Sequence, residues 1–176
     1  MRFLSKTNHM KGITTIFQIV VMLVLLITSC GKEQAEVVEV AFDPEKTYTM
    51  KATNVSDLVS DSGVIRYKAM AEEWYGYDKA AEPYWYFPKG FYLERFDSLF
   101  NKDLSVKADT VYRYYKKELW ELIGNVKVIS SKGEKFDTEH LFWDQKAERV
   151  YSDKYIRIEQ EDKIITGIGF ESNQTM

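Results

Sequence analysis

Residues 108–128, ADTVYRYYKKELWELIGNVKV, and residues 138–158, TEHLFWDQKAERVYSDKYIRI, decide the fold when set side by side. At a constant offset of 30, Asp109 meets Glu139, Val111 meets Leu141, Tyr112 meets Phe142, Lys116 meets Lys146 and Glu118 meets Glu148. Val126, Lys127 and Val128 then meet Ile156, Arg157 and Ile158. Each copy reads as a strand, a short polar turn and a return strand. A two-strand unit cannot bury its apolar face alone, so repeated copies imply stacking along an axis. Such a stack exposes a long concave face, which suits an elongated ligand better than a compact catalytic pocket.

Outward from this repeat the chain reads as β from residue 64 onward. Residues 64–74 read as one long or bulged strand, 91–97 as a strand, and 104–115 as another. Residues 119–129, 136–144, 149–158 and 163–170 complete the series. Short strands bounded by polar turns favour an all-β sandwich or roll over βαβ units. Residues 83–90, between Pro83 and Pro88, read as a connection or an edge strand, because proline donates nothing to a ladder. Residues 44–62 form a transition in which 55–59 is a short strand or a helical turn, closed by the turn chemistry of Ser60, Asp61, Ser62 and Gly63.

The N-terminus sets the compartment. Arg2, Lys6 and Lys11 precede the apolar run 13–27, and no acidic residue occurs before Glu33. That charge order is a secretion signal. The chain's single cysteine, Cys30, follows Ser29 at the end of the run, in a context similar to a bacterial lipobox, where Cys30 would become the acylated first residue. The alternative is a retained anchor, since residues 12–29 lie at the short limit of a membrane span. Either way the remainder lies outside the cytoplasm and is tied to a membrane. Residues 1–30 are read as signal or anchor, 31–54 as a tether and 55–173 as one domain. Of 24 basic side chains three lie in the first 30 residues, against 27 acidic ones in the chain. The mature part is therefore net acidic, which excludes a nucleic-acid partner.

Catalytic chemistry is poorly supplied. Outside the signal only His140 remains, and a lone histidine beside Asp137 and Glu139 lacks the converging ligands of a zinc site and a nucleophile to activate. No enzyme activity, cofactor or metal is expected. The carboxylates of Asp97, Asp103, Asp109, Glu118, Asp144, Glu148 and Asp153 fall on turns and outer faces. The aromatics are denser than packing alone requires. Trp74, Tyr75, Tyr77, Tyr84, Trp85, Tyr86, Phe87, Phe91, Tyr92, Phe96 and Phe100 form either a binding platform or a bulky core. In the later strands Trp120, Leu122, Val126 and Val128 alternate with Glu121 and Lys127, and Ile156 and Ile158 flank Arg157. Ile164, Ile168 and Phe170 share a phase. These residues would be core in a sandwich and would line a greasy groove in an open roll.

Several stretches resemble the LptC family, the periplasmic component of lipopolysaccharide export, in its Bacteroidota branch. They are SDSGV at 60–64, YWYFPKGFYLERFD at 84–97, GNV at 124–126, DTEHLFWD at 137–144, YSDK at 151–154 and ITGIGFE at 165–171. The resemblance implies an open, twisted β-jellyroll of stacked antiparallel hairpins. Lipid A acyl chains would lie in the trough, on Trp120, Leu122, Val126, Val128, Ile156, Ile158, Ile164 and Phe170. The domain would receive lipopolysaccharide from an inner-membrane ABC transporter at an N-terminal edge near Val64 and Arg66. It would pass the lipid to a bridge protein of the same fold at the C-terminal strand, near Ile165 and Ile168, by strand pairing. It would work at the periplasmic face of the inner membrane. A surface lipoprotein that binds glycans through exposed aromatics is the alternative.

Overall fold

Most strands of the sheet break, bulge or shift register at one level, and these irregularities fold the sheet on itself. The computed structural model describes residues 42–173, and residue 18. The chain divides into units 1–41 and 42–176, and the sheet belongs to the second. Cys30, the apolar run and most of the tether lie outside the described residues. No helix of the described residues is long and apolar enough to cross a membrane.

Ten strands form one antiparallel sheet: β1 (Met50–Asp61), β2 (Val64–Tyr77), β3 (Tyr84–Phe87), β4 (Phe91–Phe96), β5 (Lys102–Ala108), β6 (Thr110–Tyr114), β7 (Leu119–Ser130), β8 (Lys135–Asp144), β9 (Arg149–Glu159) and β10 (Ile164–Asn173). β3 and β4 together run along β2, and β6 and β5 together run along β7. β8, β9 and β10 follow in chain order.

The breaks align. β3 passes to β4 through Pro88, Lys89 and Gly90, and the Gly90 N–H donates to the Asp109 carbonyl at 2.7 Å. Asp109 is the gap between β5 and β6, and its N–H donates to the Gly124 carbonyl at 2.9 Å. Gly124 and Asn125 bulge from β7 at φ 79° and 46°, and the Asn125 N–H reaches the Glu139 carboxylate of β8 at 3.3 Å. The β8–β9 register shifts between Thr138 and Phe142. Asn54 in β1 and Gly169 in β10 have positive φ as well. An extra residue in one strand bends it and increases its twist. Repeated across the sheet, these bulges bring one half to face the other. Tyr67 of β2 therefore lies against Trp143 of β8, ring centroids 6.3 Å apart, and Phe91 of β4 against Trp120 of β7 at 5.9 Å. The residues beside the fold line, Ala108, Val111 and Val126, are fully buried. Two edges stay unpaired among the described strands, β1 and β10. The result is an open β-jellyroll.

The repeat corresponds to two hairpins, β6–β7 and β8–β9. Both turn through four residues, 115–118 and 145–148, and both end on a left-handed glutamate, Glu118 at φ 51° and Glu148 at φ 53°.

Three local expectations change. Residues 84–87 are not an edge but a strand paired on both sides, because Pro83 and Pro88 flank it and never enter its ladder. Residues 104–115 are two strands, broken at Asp109. The transition before Gly63 is the 12-residue strand β1, joined to β2 by a two-residue turn in which Ser62 and Gly63 both have positive φ. β1 consequently covers the segment holding Val64 and Arg66, with Asp61 opposite Val64. The N-terminal open edge is β1, not residues 64–68.

Candidate functional site: an aromatic-lined interior

Cross-strand registry sorts the aromatics by chemistry. One row runs Trp85, Arg113, Trp120 and Trp143 across β3, β6, β7 and β8, and it faces inward. The neighbouring row runs Tyr75, Tyr86, Tyr112, Glu121, Phe142 and Tyr151 from β2 to β9, and it faces outward. Along these two rows the indoles face inward, and the tyrosines of the outer row keep their phenol ends wet. Trp74 meets Trp85 edge-on at 4.6 Å and stacks on Phe87 at 5.8 Å.

Between the half-sheets lie two adjoining cavities of about 460 and 360 Å³. Both touch Tyr67, Phe91, Leu93, Trp120, Trp143 and Gln145, so the Tyr67–Trp143 contact stands between them. The larger reaches β1 at Val55, Asp57 and Val59, and the smaller continues over Leu104, Val106, Val128, Leu141 and Val150. The walls are predominantly apolar, with Asp57, Arg113 and Gln145 among the polar positions of the larger cavity and Arg95 of the smaller.

The residues singled out from the sequence divide as follows. Trp120 lines both cavities, and Leu122 and Val128 line the smaller. Val126 and Ile156 are buried at the fold line, and Ile158 packs on the core. Phe170 packs on Phe136, ring centroids 4.8 Å apart. Ile164 does not join them. It stands opposite Glu159 on the outer face and is 58% exposed. The bulge at Gly169 inverts the phase of β10, so Ile164 and Ile168 point outward while Phe170 points inward. Ile165 and Ile168 lie on the open edge strand β10. Tyr67, Leu93, Trp143 and Arg113 were not named as trough residues. Trp143 was findable from the repeat, since it stands 30 positions after Arg113 and beside Leu141 in the same alternation.

The outer face is polar. The Lys127 ammonium pairs with Asp137 at 2.8 Å and Lys135 with Glu159 at 3.1 Å. His140 Nε2 lies 2.9 Å from Glu121, its ring against Phe142. No group of three or more metal-ligating side chains occurs among the described residues. Burial, then the neighbouring Glu121 carboxylate, pushes the Tyr114 phenol up to about 12. Burial likewise raises Tyr112. These tyrosines stay protonated and neutral in the physiological range. None is tuned for proton transfer near neutrality.

Residues 15–176 match the family model described as lipopolysaccharide-assembly, LptC-related. The chain belongs to the LptC family. No curated protein matches it. Membership places this chain in lipopolysaccharide transport in general, as a transport component. The family also associates it with the periplasm at the inner membrane.

Proposed function

We propose that this LptC chain carries lipopolysaccharide with the acyl chains inside the folded sheet. It would take the lipid from an inner-membrane ABC transporter and pass it to a periplasmic bridge protein of the same fold. The observation that carries this reading is the interior itself: two adjoining apolar cavities, walled by all four tryptophans of the chain, in a roll whose two edges are unpaired among the described strands. Trp120, Leu122 and Val128 would touch the acyl chains directly. Val126, Ile156, Ile158 and Phe170 would hold the wall they press against. The open edges supply the means of handover, since an unpaired strand accepts another chain by continuing the ladder. β10, with Ile165 and Ile168, is the edge for the bridge protein, and β1 takes the place of residues 64–68 as the edge toward the transporter. The chain is held at the periplasmic face of the inner membrane, by an acylated Cys30 or by residues 12–29 as a span. Mass spectrometry of the membrane-extracted protein distinguishes these two anchors.

The test is position-specific. A photo-crosslinking residue at Leu122 or Val128 is expected to capture lipopolysaccharide in cells, and one at Lys127 or Arg157 is not. Equal capture on both faces contradicts an interior route. Capture on the outer tyrosine row alone, at Tyr86 or Tyr112, would instead favour glycan binding by the exposed aromatics.

A further inference from the structure

Two arginines line the interior: Arg95 in the smaller cavity, paired with Asp103 at 2.9 Å, and Arg113 in the larger, which pairs with no carboxylate of the described residues. The inner row places Arg113 between Trp85 and Trp120, its cross-strand neighbours. Its guanidinium carbon lies 4.7 Å from the Trp85 ring centroid, 5.1 Å from Trp120 and 5.6 Å from Tyr115. The equivalent position of the second hairpin, 30 residues on, holds Trp143, so the site accepts an apolar side chain in this architecture. Burial disfavours the charged form of Arg113, and the one electrostatic neighbour acting on it is the Tyr115 phenol. No carboxylate of the described residues pairs with it. Arginine does not give up its proton in proteins, so the interior holds a fixed positive charge stabilised only by ring faces. Removing a charge from water without a partner is costly, and a guanidinium's five N–H donors match a phosphate or carboxylate. A second observation lies in the same cavity. The Trp74 indole N–H is buried and donates to nothing in the structure, and Trp74 lines the larger cavity with Arg113. The cavity's one lining carboxylate, Asp57, is on β1.

We propose that Arg113, with the Trp74 N–H, seats the anionic head group of an amphiphile, a phosphate ester or a carboxylate, whose chain fills the adjoining apolar space. This rests on the reading that the interior takes lipid. It adds that the interior reads charge as well as chain.

The test uses the full-length chain in phosphatidylcholine nanodiscs. All four tryptophans line the larger cavity, so their emission reports the interior directly. Dodecyl phosphate, dodecanoate, dodecyl maltoside and inorganic phosphate are titrated in turn. Wild type is expected to respond to dodecyl phosphate at about tenfold to a hundredfold lower concentration than to neutral dodecyl maltoside, the range of a charge-assisted hydrogen bond. Dodecanoate distinguishes a carboxylate from a phosphate seat by its place in that order. Arg113→Met should lose the preference for both anionic probes while still binding the maltoside, and Arg113→Lys should keep part of it. Partition into the nanodisc is common to all variants and cancels in the comparison. An Arg113→Met protein that binds the maltoside and retains the full anionic preference overturns the proposal and leaves the lipid interior standing. Response to inorganic phosphate at the concentration of dodecyl phosphate overturns the amphiphile assignment. Failure of every alkyl probe to change the emission of wild type overturns the lipid interior, and this proposal with it. Arg113→Met should fold at least as stably as wild type, because it removes an unpaired, partly buried charge.

Discussion

Gly124→Ala tests whether the fold line holds the roll together. Gly124 has φ +79°, and a Cβ built there would lie 2.9 Å from Asp109 Oδ2 and 3.1 Å from Asp109 Cβ. A left-handed backbone costs an L-residue about 1–2 kcal/mol. The contact adds to that, because the Asp109 side chain is committed: its Oδ2 accepts from Asn125 Nδ2 at 2.6 Å. Moving it away weakens a charge-assisted hydrogen bond, roughly another 1–2 kcal/mol. The expected loss is about 3 kcal/mol. Gly133→Ala is the control, with φ +83° and nothing within 4 Å of the added carbon, so only the backbone cost of about 1–2 kcal/mol applies. Urea unfolding followed by tryptophan emission gives both numbers. Gly124→Ala should lower the midpoint by about 1 M at an unchanged slope, and Gly133→Ala by roughly half that. Equal losses would mean that the close approach of β7 to Asp109 has no energetic role. The idea that the aligned bulges are packed against one another would then fail.

Three further outcomes are expected. Glu148→Gly relieves the left-handed glutamate of the β8–β9 turn and should raise stability by about 0.5–1 kcal/mol, read as a higher urea midpoint; a loss would mean that the side chain holds the turn. Proline at Ile165 and at Ile168 removes N–H groups that point to opposite sides of β10. The variant whose N–H faces away from β9 should stay folded and lose co-purification of the bridge protein, and retention by both variants refutes handover at this edge. The Arg157 hydrogen bond, then Lys135, holds Glu159 below the ordinary carboxylate value, and Lys89 then Tyr75 does the same for Glu73. A depressed carboxylate contributes stability above its unfolded value that is lost as pH falls through its folded one. Stability should therefore decline on acidification below the ordinary carboxylate range and decline less in Glu159→Gln; a rise on acidification refutes the assignment.

The hairpin repeat was legible because both copies keep apolar residues on one face and a four-residue turn at the same place. Even the left-handed glutamates recur at the offset of 30. β1 was not legible. It is an edge strand exposed along most of both faces, so no apolar alternation marks it, and the edge was placed one strand too far in. Ile164 was assigned inward because counting by twos assumes an unbroken strand, and the bulge at Gly169 changes the phase between Ile168 and Phe170. The dense aromatics of 84–87 were ambiguous because the flanking prolines resemble a barrier to pairing. Only the partners of Tyr84 and Tyr86 on β2 and β6 reveal that phenols and indoles take opposite faces. Arg113 was missed for a simple reason. It interrupts an apolar pattern with a cation, although the same alternation places it inward with Val111.

The most direct test of an interior lipid route is to titrate the chain with lipopolysaccharide and with the same molecule stripped of its acyl chains, reading tryptophan emission. Since every tryptophan of the chain lines the interior, intact lipopolysaccharide is expected to shift the emission saturably and the deacylated molecule to leave it unchanged. An equal shift with both would mean that recognition rests on the sugars, and the acyl-chain route through the folded sheet would be wrong.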